Sequence, residues 1–235
     1  MTQGRPWGEF LDARVDADRS YRTHVARERA WARRARGEFS IFLSSSTDPF
    51  VPQERTLRVT HSLLLAMLDE PPDAIVVQTH TDRVLDELDT LRALAARCRL
   101  RVHLSIESDL DTLPGLPPPA ASVDRRFAAA SALKAAGLRV VVTVSPLWPI
   151  ADPDAFFARI AACADAVVLD HFIEGDGSRD GARTRSTALP AAIAAVDSGA
   201  NALAHRDRMA AIARRHLPDR VGVNIDGFAG RFGGP

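Results

Sequence analysis

The sequence predicts an α/β protein in which parallel strands alternate with helices. Short apolar runs recur along the 235 residues, and stretches with helical spacing separate most of them, which is the pattern of successive βαβ units. The chain is 46% hydrophobic and 26% charged, as expected for a globular protein with a sizeable core. Its length fits a single domain of α/β barrel size over residues 1–235 better than two small domains.

Six apolar runs are strong candidates for strands, and a seventh is weak. Each strong run is rich in Val, Ile, Leu or Phe and is followed by polar residues that end a strand. The strong candidates are Phe39–Ser45, Ala74–Thr79, Leu100–Ile106, Arg139–Ser145, Ala166–Asp170 and Val221–Asp226. The weak candidate is Phe10–Val15, which carries two charged residues.

Helices are expected between the strands, where apolar residues recur at helical spacing. Ser122 is the expected N-cap of one helix, and Gly137 ends it. The expected helices are Tyr21–Arg36, Pro52–Leu68, Val84–Cys98, Val123–Ala136, Asp154–Cys163 and Asn201–His216. Two segments interrupt the alternation: Leu113–Pro119 is too rich in proline to be anything but a loop, and Glu174–Leu189 is expected to be a long polar loop that serves as a lid or flap.

Hydroxyl, carboxylate and imidazole side chains follow the strands at the edge where a parallel barrel binds its ligands. The candidate ligand-binding residues are Ser44, Ser45, Ser46, Thr47, Asp48, Thr79, His80, Ser105, Glu107, Thr143 and Ser145. Strand alternation places His103, Ser105 and Glu107 on one face of their strand. Such a ring suits hydrogen bonding to a polar organic ligand. The alternative is that these side chains only cap the helices that follow.

A metal-dependent hydrolase is a second interpretation of the same region. Imidazole and carboxylate groups suit zinc or manganese, and the possible ligands are His80, His103, Glu107, Asp170 and His171. No H-x-H or H-E-x-x-H spacing supports this interpretation. Asp170 and His171 are adjacent, so their side chains point to opposite faces of a strand.

Charge and cysteine content limit the partners and the compartment. The chain has 30 basic and 30 acidic residues, so no overall field attracts nucleic acid or a membrane surface. No apolar run approaches the length of about 18 residues of a membrane span. Cys98 and Cys163 are distant in sequence and no signal peptide is evident, so we expect reduced, buried thiols in a cytoplasmic protein.

Several segments resemble the radical S-adenosylmethionine (SAM) proteins of the spore photoproduct lyase-like group, which includes the "DNA repair photolyase" set. The strand, T-D-P and helix of Ser44–Thr60, followed by the V-V-Q-T strand, are the most specific part. The similar segments are WGEFLDARVDA (Trp7–Ala17), SSSTDPFVPQERTLRVT (Ser44–Thr60), VVQTHTDRVLDELDTLRALA (Val76–Ala95), VHLSIESD (Val102–Asp109), AASALKAAGLRVVVTVSPLWPI (Ala129–Ile150) and VVLDHF (Val167–Phe172).

The resemblance implies a partial (β/α)6 barrel, open on one side, that binds SAM at its strand ends. It implies that Ser44–Asp48 meet the methionine amino group, that Ser105 and Glu107 lie near the ribose or carboxylate, and that Thr143 and Ser145 line the same cavity. His80 occupies a position where relatives often have a lysine that faces the SAM carboxylate. The family also implies a 4Fe–4S cluster, an external electron donor and a 5′-deoxyadenosyl radical that abstracts hydrogen from a substrate, here an unidentified small molecule or nucleic acid.

The cysteines depart from the family pattern. Relatives hold the cluster through C-x-x-x-C-x-x-C, because soft thiolate ligands are needed, and this chain contains only Cys98 and Cys163. In relatives the motif precedes the segment similar to Trp7–Ala17. One expectation is therefore that the chain lacks the first barrel strand and the motif, both encoded upstream. The other is a degenerate, non-catalytic barrel that binds a nucleotide-like ligand or a protein partner.

Overall fold

The strands form one parallel sheet in which their order follows the chain. A computed structural model describes residues 11–43 and 47–233. Each strand pairs with the next in parallel, and the sheet order is β1-β2-β3-β4-β5-β6. The strands are β1 Ser40–Leu43, β2 Ala74–Thr79, β3 Arg99–Ser105, β4 Arg139–Val144, β5 Ala166–Leu169 and β6 Val221–Val223. The predicted α/β class and the six strong strand candidates are confirmed, and the sheet has the arrangement of a partial TIM-type barrel.

Helices connect each strand to the next, as parallel strands require, while α1 precedes β1 and α11 follows β6. Short 3₁₀ segments at Asp82–Glu87, Arg179–Gly181 and Ser198–Asn201 supplement them. The α-helices are α1 Ala17–Arg36, α2 Glu54–Leu57, α3 Val59–Asp69, α4 Leu88–Ala95, α5 Val123–Ala135, α6 Pro153–Cys163, α7 Phe172–Gly175, α8 Ala182–Arg185, α9 Leu189–Ala194, α10 Leu203–His216 and α11 Asn224–Phe228.

The two faces of the sheet are covered differently. On the helix-facing side, Val77, Leu104 and Val142 belong to the large core that includes residues of α3 to α6 and α10. On the opposite side, which we call the inner face, a small cluster of Val141, Ala166 and Val168 packs against Phe228 and Phe232. Residues of one strand alternate between these faces. The side chains of His103, Ser105 and Thr143 therefore belong to the inner face.

Capping explains where one of the main helices begins and ends. The Ser122 hydroxyl accepts a hydrogen bond from the backbone N–H of Arg125, as an N-cap side chain does. Gly137 follows the helix with a positive φ of 81°, a conformation that glycine adopts without strain. The predicted start and stop of α5 are confirmed to within one residue.

The weak strand predicted at Phe10–Val15 is wrong within the described residues. Leu11–Arg14 has no regular structure, and the α1 helix begins at Ala17. Residues 11–15 are all exposed, so neither face of the segment is buried. Among the described residues no strand pairs with it, and without a partner an apolar alternation does not form a strand.

The segment Glu174–Leu189, predicted as a long polar loop, is instead a series of short helical turns. The Asp176 carboxylate accepts hydrogen bonds from the backbone N–H groups of Ser178 and Thr184, each at 2.8 Å. The glycines that suggested a flexible loop supply left-handed turns at Gly177 and Gly181. Side-chain caps thus organise a segment whose composition alone indicated a loop.

Smaller differences concern helix boundaries. The predicted helix Val84–Cys98 begins as the 3₁₀ segment Asp82–Glu87 and continues as α4, and the predicted helix Asn201–His216 begins at Leu203. Leu113–Pro119 has no helix or strand, as its prolines predicted.

Candidate ligand-binding site at the strand ends

The loop after β1 is attached to the end of β2 by one carboxylate. Asp48 Oδ1 accepts hydrogen bonds from Phe50 N at 2.8 Å and from Thr79 Oγ1 at 2.9 Å, and Oδ2 accepts one from His80 N at 2.7 Å. Thr79 is fully buried and shares the helix-facing side with Ile75 and Val77. Thr79, one of the predicted ligand-binding residues, therefore positions Asp48 and does not face the inner side.

A groove beside this loop leaves open space next to Asp48. It has a cavity volume of about 1110 Å³ and lies between α1, β1 and α3, with Thr47 and Asp48 among its lining residues. Apolar side chains such as Phe42 and Leu43 contribute to the same groove. The predicted residues Ser44, Ser45 and Ser46 lie outside the described residues.

His80 stands between two carboxylates. Its Nδ1 lies 3.5 Å from Asp48 Oδ2, and its Nε2 lies 3.5 Å from Glu107 Oε1. Burial by itself would lower the pKa of His80, but the hydrogen bond with Asp48 and the charge of Glu107 outweigh burial, and the net shift of the His80 pKa is upward. Burial by itself would raise the pKa of Asp48, but its hydrogen bonds with His80, Phe50 and Thr79 outweigh burial, and the net shift of the Asp48 pKa is downward. The imidazolium is thus already paired and is poorly placed to serve as the main partner of a ligand carboxylate.

A buried ion pair supports the end of β3. Arg126 Nη1 lies 2.6 Å from Glu107 Oε2 and donates a hydrogen bond to the Ser105 carbonyl at 2.8 Å. The side chains of Arg126 and Glu107 are 2% and 7% exposed. Sequence reasoning missed Arg126. The available signal was its position on the apolar side of α5, three residues after Val123 and four before Ala130.

Two further predicted residues meet across neighbouring strands on the inner face. The hydroxyl oxygens of Ser105 and Thr143 are 2.9 Å apart, and both side chains are fully buried. The register pairs Ser105 directly with Thr143. The prediction that these strand ends converge is therefore confirmed for this pair, whereas contact with a cofactor stays a prediction.

An acidic group with free hydrogen-bonding capacity follows β5. Ser145 Oγ donates to Asp170 Oδ2 at 3.1 Å, while the buried Asp170 Oδ1 has no hydrogen-bond partner among the described residues. Burial raises the pKa of Asp170, and the hydrogen bond from Ser145 opposes this only in part. Gly175 packs against this carboxylate so closely that a Cβ would overlap Asp170 Oδ2. A buried acceptor without a partner is uncommon, so this oxygen has capacity to accept a further hydrogen bond.

His171, next to Asp170, lies beyond the end of β5 at Leu169, so the predicted alternation across the two faces of a strand does not apply to this pair. His171 Nδ1 accepts a hydrogen bond from Ile173 N at 3.2 Å, and its Nε2 lies 3.1 Å from the Ala200 carbonyl. His171 therefore caps α7. Across residues 11–43 and 47–233, no group of three His, Cys, Asp or Glu side chains could hold a metal ion. The hydrolase interpretation, which drew its possible ligands from His80, His103, Glu107, Asp170 and His171, has no support from the geometry of the described residues.

The cysteines do not fit a 4Fe–4S cluster. Cys98 is partly buried just after α4, and Cys163 is buried at the end of α6. Both were predicted to be buried, which is confirmed for Cys163. Burial raises the pKa of each thiol, so the thiolate form that ligates iron is disfavoured. Two separated thiols cannot supply the three clustered ligands that the family uses.

Comparisons with known proteins identify the fold. No protein-family model matches the sequence, and no curated protein does. A solved structure of a spore photoproduct lyase mutant with bound AdoMet and dinucleoside spore photoproduct superposes with a TM-score of 0.54 at 15% identity. The chain has the fold of spore photoproduct lyase, a radical SAM enzyme. A second structure, spore photoproduct lyase complexed with dinucleoside spore photoproduct, gives a TM-score of 0.53 at 14% identity.

The likeness to spore photoproduct lyase covers most of this chain but not all of that enzyme. Each match includes 84% of this chain and 64% of the lyase chain. The resemblance inferred from the sequence is thus confirmed for the fold.

Within the described residues, no helix combines the length and apolar character needed to cross a membrane.

Proposed function

We propose that this chain binds SAM at the carboxyl ends of its parallel strands. The buried Asp170 Oδ1 without a partner is the observation that carries the proposal, because such an atom is satisfied when a ligand donates a hydrogen bond to it. The fold supports the choice of ligand, since a lyase structure with this fold has AdoMet bound. In parallel barrels, ligands lie at this edge.

The charges at the strand ends suit a ligand that is partly cationic. Asp170 can accept hydrogen bonds from the ribose hydroxyls or the ammonium group of SAM. Glu107 and Asp48 are paired with Arg126 and His80, so Asp170 is the carboxylate at this edge that is left for a cationic group. Opposite charges within a few ångströms attract strongly where water is excluded. The hydroxyls of the remaining predicted residues, Ser105, Thr143 and Ser145, are proposed to line the same pocket.

Radical chemistry is not proposed for these 235 residues alone. A 4Fe–4S cluster supplies the electron for reductive SAM cleavage in this family, and the two cysteines of this chain do not fit its ligand set. A radical enzyme whose cysteines are encoded upstream stays a prediction, which the nucleotide sequence before the Met1 codon tests. An in-frame C-x-x-x-C-x-x-C there would support it, and the absence of one would exclude it.

Isothermal titration calorimetry of the purified chain with SAM tests the proposal. The variant Asp170→Asn removes the acceptor charge, and a hydrogen bond to a charged group is worth about 1.5–3 kcal/mol, so we expect its affinity to fall by about 10- to 100-fold. Asp86→Asn, at an exposed position, is the matched control and should bind like the unmodified chain. No measurable SAM binding, or equal affinity in Asp170→Asn, would contradict the proposal.

A degenerate barrel that binds a nucleotide-like ligand is the second candidate, and the unsuitable cysteines favour it. Adenosine separates the two candidates, because it lacks the sulfonium and the amino acid moiety. Equal affinities for adenosine and SAM would favour the nucleotide-binding barrel. At least tenfold tighter binding of SAM would favour a cofactor site.

A further inference from the structure

Three arginines line a small cavity beside the turn between α2 and α3. Arg55, Arg58 and Arg83 lie in its wall, together with residues of the loop after β1 and of the 3₁₀ segment Asp82–Glu87. The cavity has a volume of about 130 Å³, the space of about four water molecules at about 30 Å³ each. It therefore has room for one tetrahedral oxyanion. None of its lining residues is among those proposed to bind SAM.

The guanidinium groups of these arginines have no acceptors. Arg83 is half-buried, and its Nη1 atom is buried without a hydrogen-bond partner among the described residues. Arg55 and Arg58 are exposed, and neither side chain forms an ion pair or a hydrogen bond within the described part of the chain. Arg58 also has a φ of 52°, a conformation that glycine adopts with less strain and that is often retained at functional sites. A guanidinium cannot lose its charge, so these groups are left for an anion.

Two of the three carboxylates around the cavity already have partners. Glu54 accepts hydrogen bonds from the backbone N–H groups of Val59 and His61, at 3.1 and 3.0 Å. Glu87 pairs with His61 Nδ1 at 2.8 Å. The third carboxylate, Asp86, is exposed, so water and salt screen its charge. Because the three arginines have no acidic partner among the described residues, the unpaired charge around the cavity is mainly positive.

We propose that this cavity binds a phosphate group, either as the free ion or as the end of a small phosphate monoester. Guanidinium groups bind phosphate oxygens in pairs, with two parallel N–H···O bonds. A tetrahedral dianion has enough oxygens for three guanidinium groups, whereas a carboxylate has only two. The exposed Arg55 and Arg58 leave one side of the cavity open, through which the rest of a monoester would extend into solvent. The proposal goes beyond the proposed function and does not rest on it.

Titrations followed by ³¹P NMR test the proposal with inorganic phosphate and glycerol 3-phosphate as probes. At about pH 8 both are mainly dianions, and about 0.15 M sodium chloride screens long-range attraction. Dimethyl phosphate, which carries a single charge, is the control ligand. We expect saturable binding of a dianion with a dissociation constant below about 1 mM and at least tenfold weaker binding of dimethyl phosphate. Whichever dianion binds more tightly distinguishes the free ion from a monoester. No saturable binding of either dianion, or equal binding of dimethyl phosphate, would overturn the proposal.

Substitutions show whether the arginines of the cavity hold the phosphate. Arg83→Met removes the guanidinium and keeps most of the side-chain length, and we expect it to weaken phosphate binding at least tenfold, since hydrogen bonds to a charged group are lost. It should not lower the melting temperature in phosphate-free buffer, because the Arg83 guanidinium has no partner to lose. Arg139→Met, at an exposed position outside the cavity, is the matched control and should leave phosphate affinity unchanged.

A second variant keeps the test valid if Arg83→Met does not fold. Arg55 is exposed, so Arg55→Gln should fold normally and still weaken phosphate binding by about tenfold. Unchanged phosphate affinity in Arg55→Gln or Arg83→Met, or an equal loss in Arg139→Met, would overturn the proposal, because the binding would then be general attraction to surface charge. The SAM dissociation constant should stay within twofold in all three variants, and phosphate binding without SAM binding would contradict the proposed function alone.

Discussion

Removing the positive charge of Arg126 tests whether the buried ion pair organises the strand ends. The substitution Arg126→Met keeps most of the side-chain volume but leaves Glu107 as a buried charge. Breaking a buried pair by removing one partner costs about 3–5 kcal/mol, a large part of the 5–15 kcal/mol that stabilises a typical domain. Because His80 still contacts Glu107 at 3.5 Å, we expect the free energy of unfolding to fall by about 3 kcal/mol, the lower end of this range.

The neighbouring residue provides a matched control. Arg125 is on the same helix, is 60% exposed and pairs with Asp82 at 2.7 Å, and an exposed pair is worth about 0–1 kcal/mol. Urea denaturation of Arg125→Met, Arg126→Met and the double variant Arg126→Met/Glu107→Gln gives the three free energies of unfolding. We expect the double variant to recover part of the loss, since it no longer buries a lone charge. Equal costs for Arg125→Met and Arg126→Met would refute the reasoning.

Two further predictions concern the same edge of the sheet. Gly175→Ala forces a Cβ into Asp170 Oδ2, so we expect a lower melting temperature and weaker SAM binding by calorimetry. Gly199→Ala is the control, because the atom nearest to its Cβ is an Asp197 side-chain oxygen 3.2 Å away, and it should change SAM affinity less than twofold. Equal effects of the two substitutions would contradict the steric argument. The raised pKa of His80 predicts that His80→Gln costs most stability below pH about 6.5, the ordinary histidine pKa, and less as the pH rises through the raised value. Melting temperatures of both proteins across this pH range measure the difference, and a gap that widens with increasing pH would show that the imidazolium is not the stabilising form.

Local patterns predicted most of the fold because hydrophobic periodicity is a property of neighbouring residues. The Val-rich run of β4 and the capped helix after Ser122 are both confirmed. The secondary-structure predictions were wrong where one local pattern is compatible with two different structures. Phe10–Val15 alternates like a strand, yet a strand needs a partner. Glu174–Leu189 has the composition of a loop, yet the Asp176 carboxylate caps its turns.

The candidate site was predictable in part. Strand alternation correctly placed His103 and Ser105 on one face of β3, since side chains alternate with a period of two residues, whereas the contact of Ser105 with Thr143 depends on the register of β3 and β4. It did not show that Thr79 faces the helices and donates a hydrogen bond to Asp48, because the position of Asp48 depends on the path of the loop after β1. Arg126 was missed for a related reason: its partner Glu107 is 19 residues earlier, and no local pattern connects the two.

The sequence alone determined that this protein is a parallel α/β structure and which polar residues follow its strands, because burial of alternating apolar residues dictates both. Only the tertiary structure decided which of those residues form ion pairs, which form hydrogen bonds and which are buried without a hydrogen-bond partner. Among the described residues, Asp170 Oδ1, Gln78 Oε1 and both ring nitrogens of His103 lack hydrogen-bond partners because of what packs around them. Such contacts depend on register and on the paths of distant segments, which composition and periodicity do not encode.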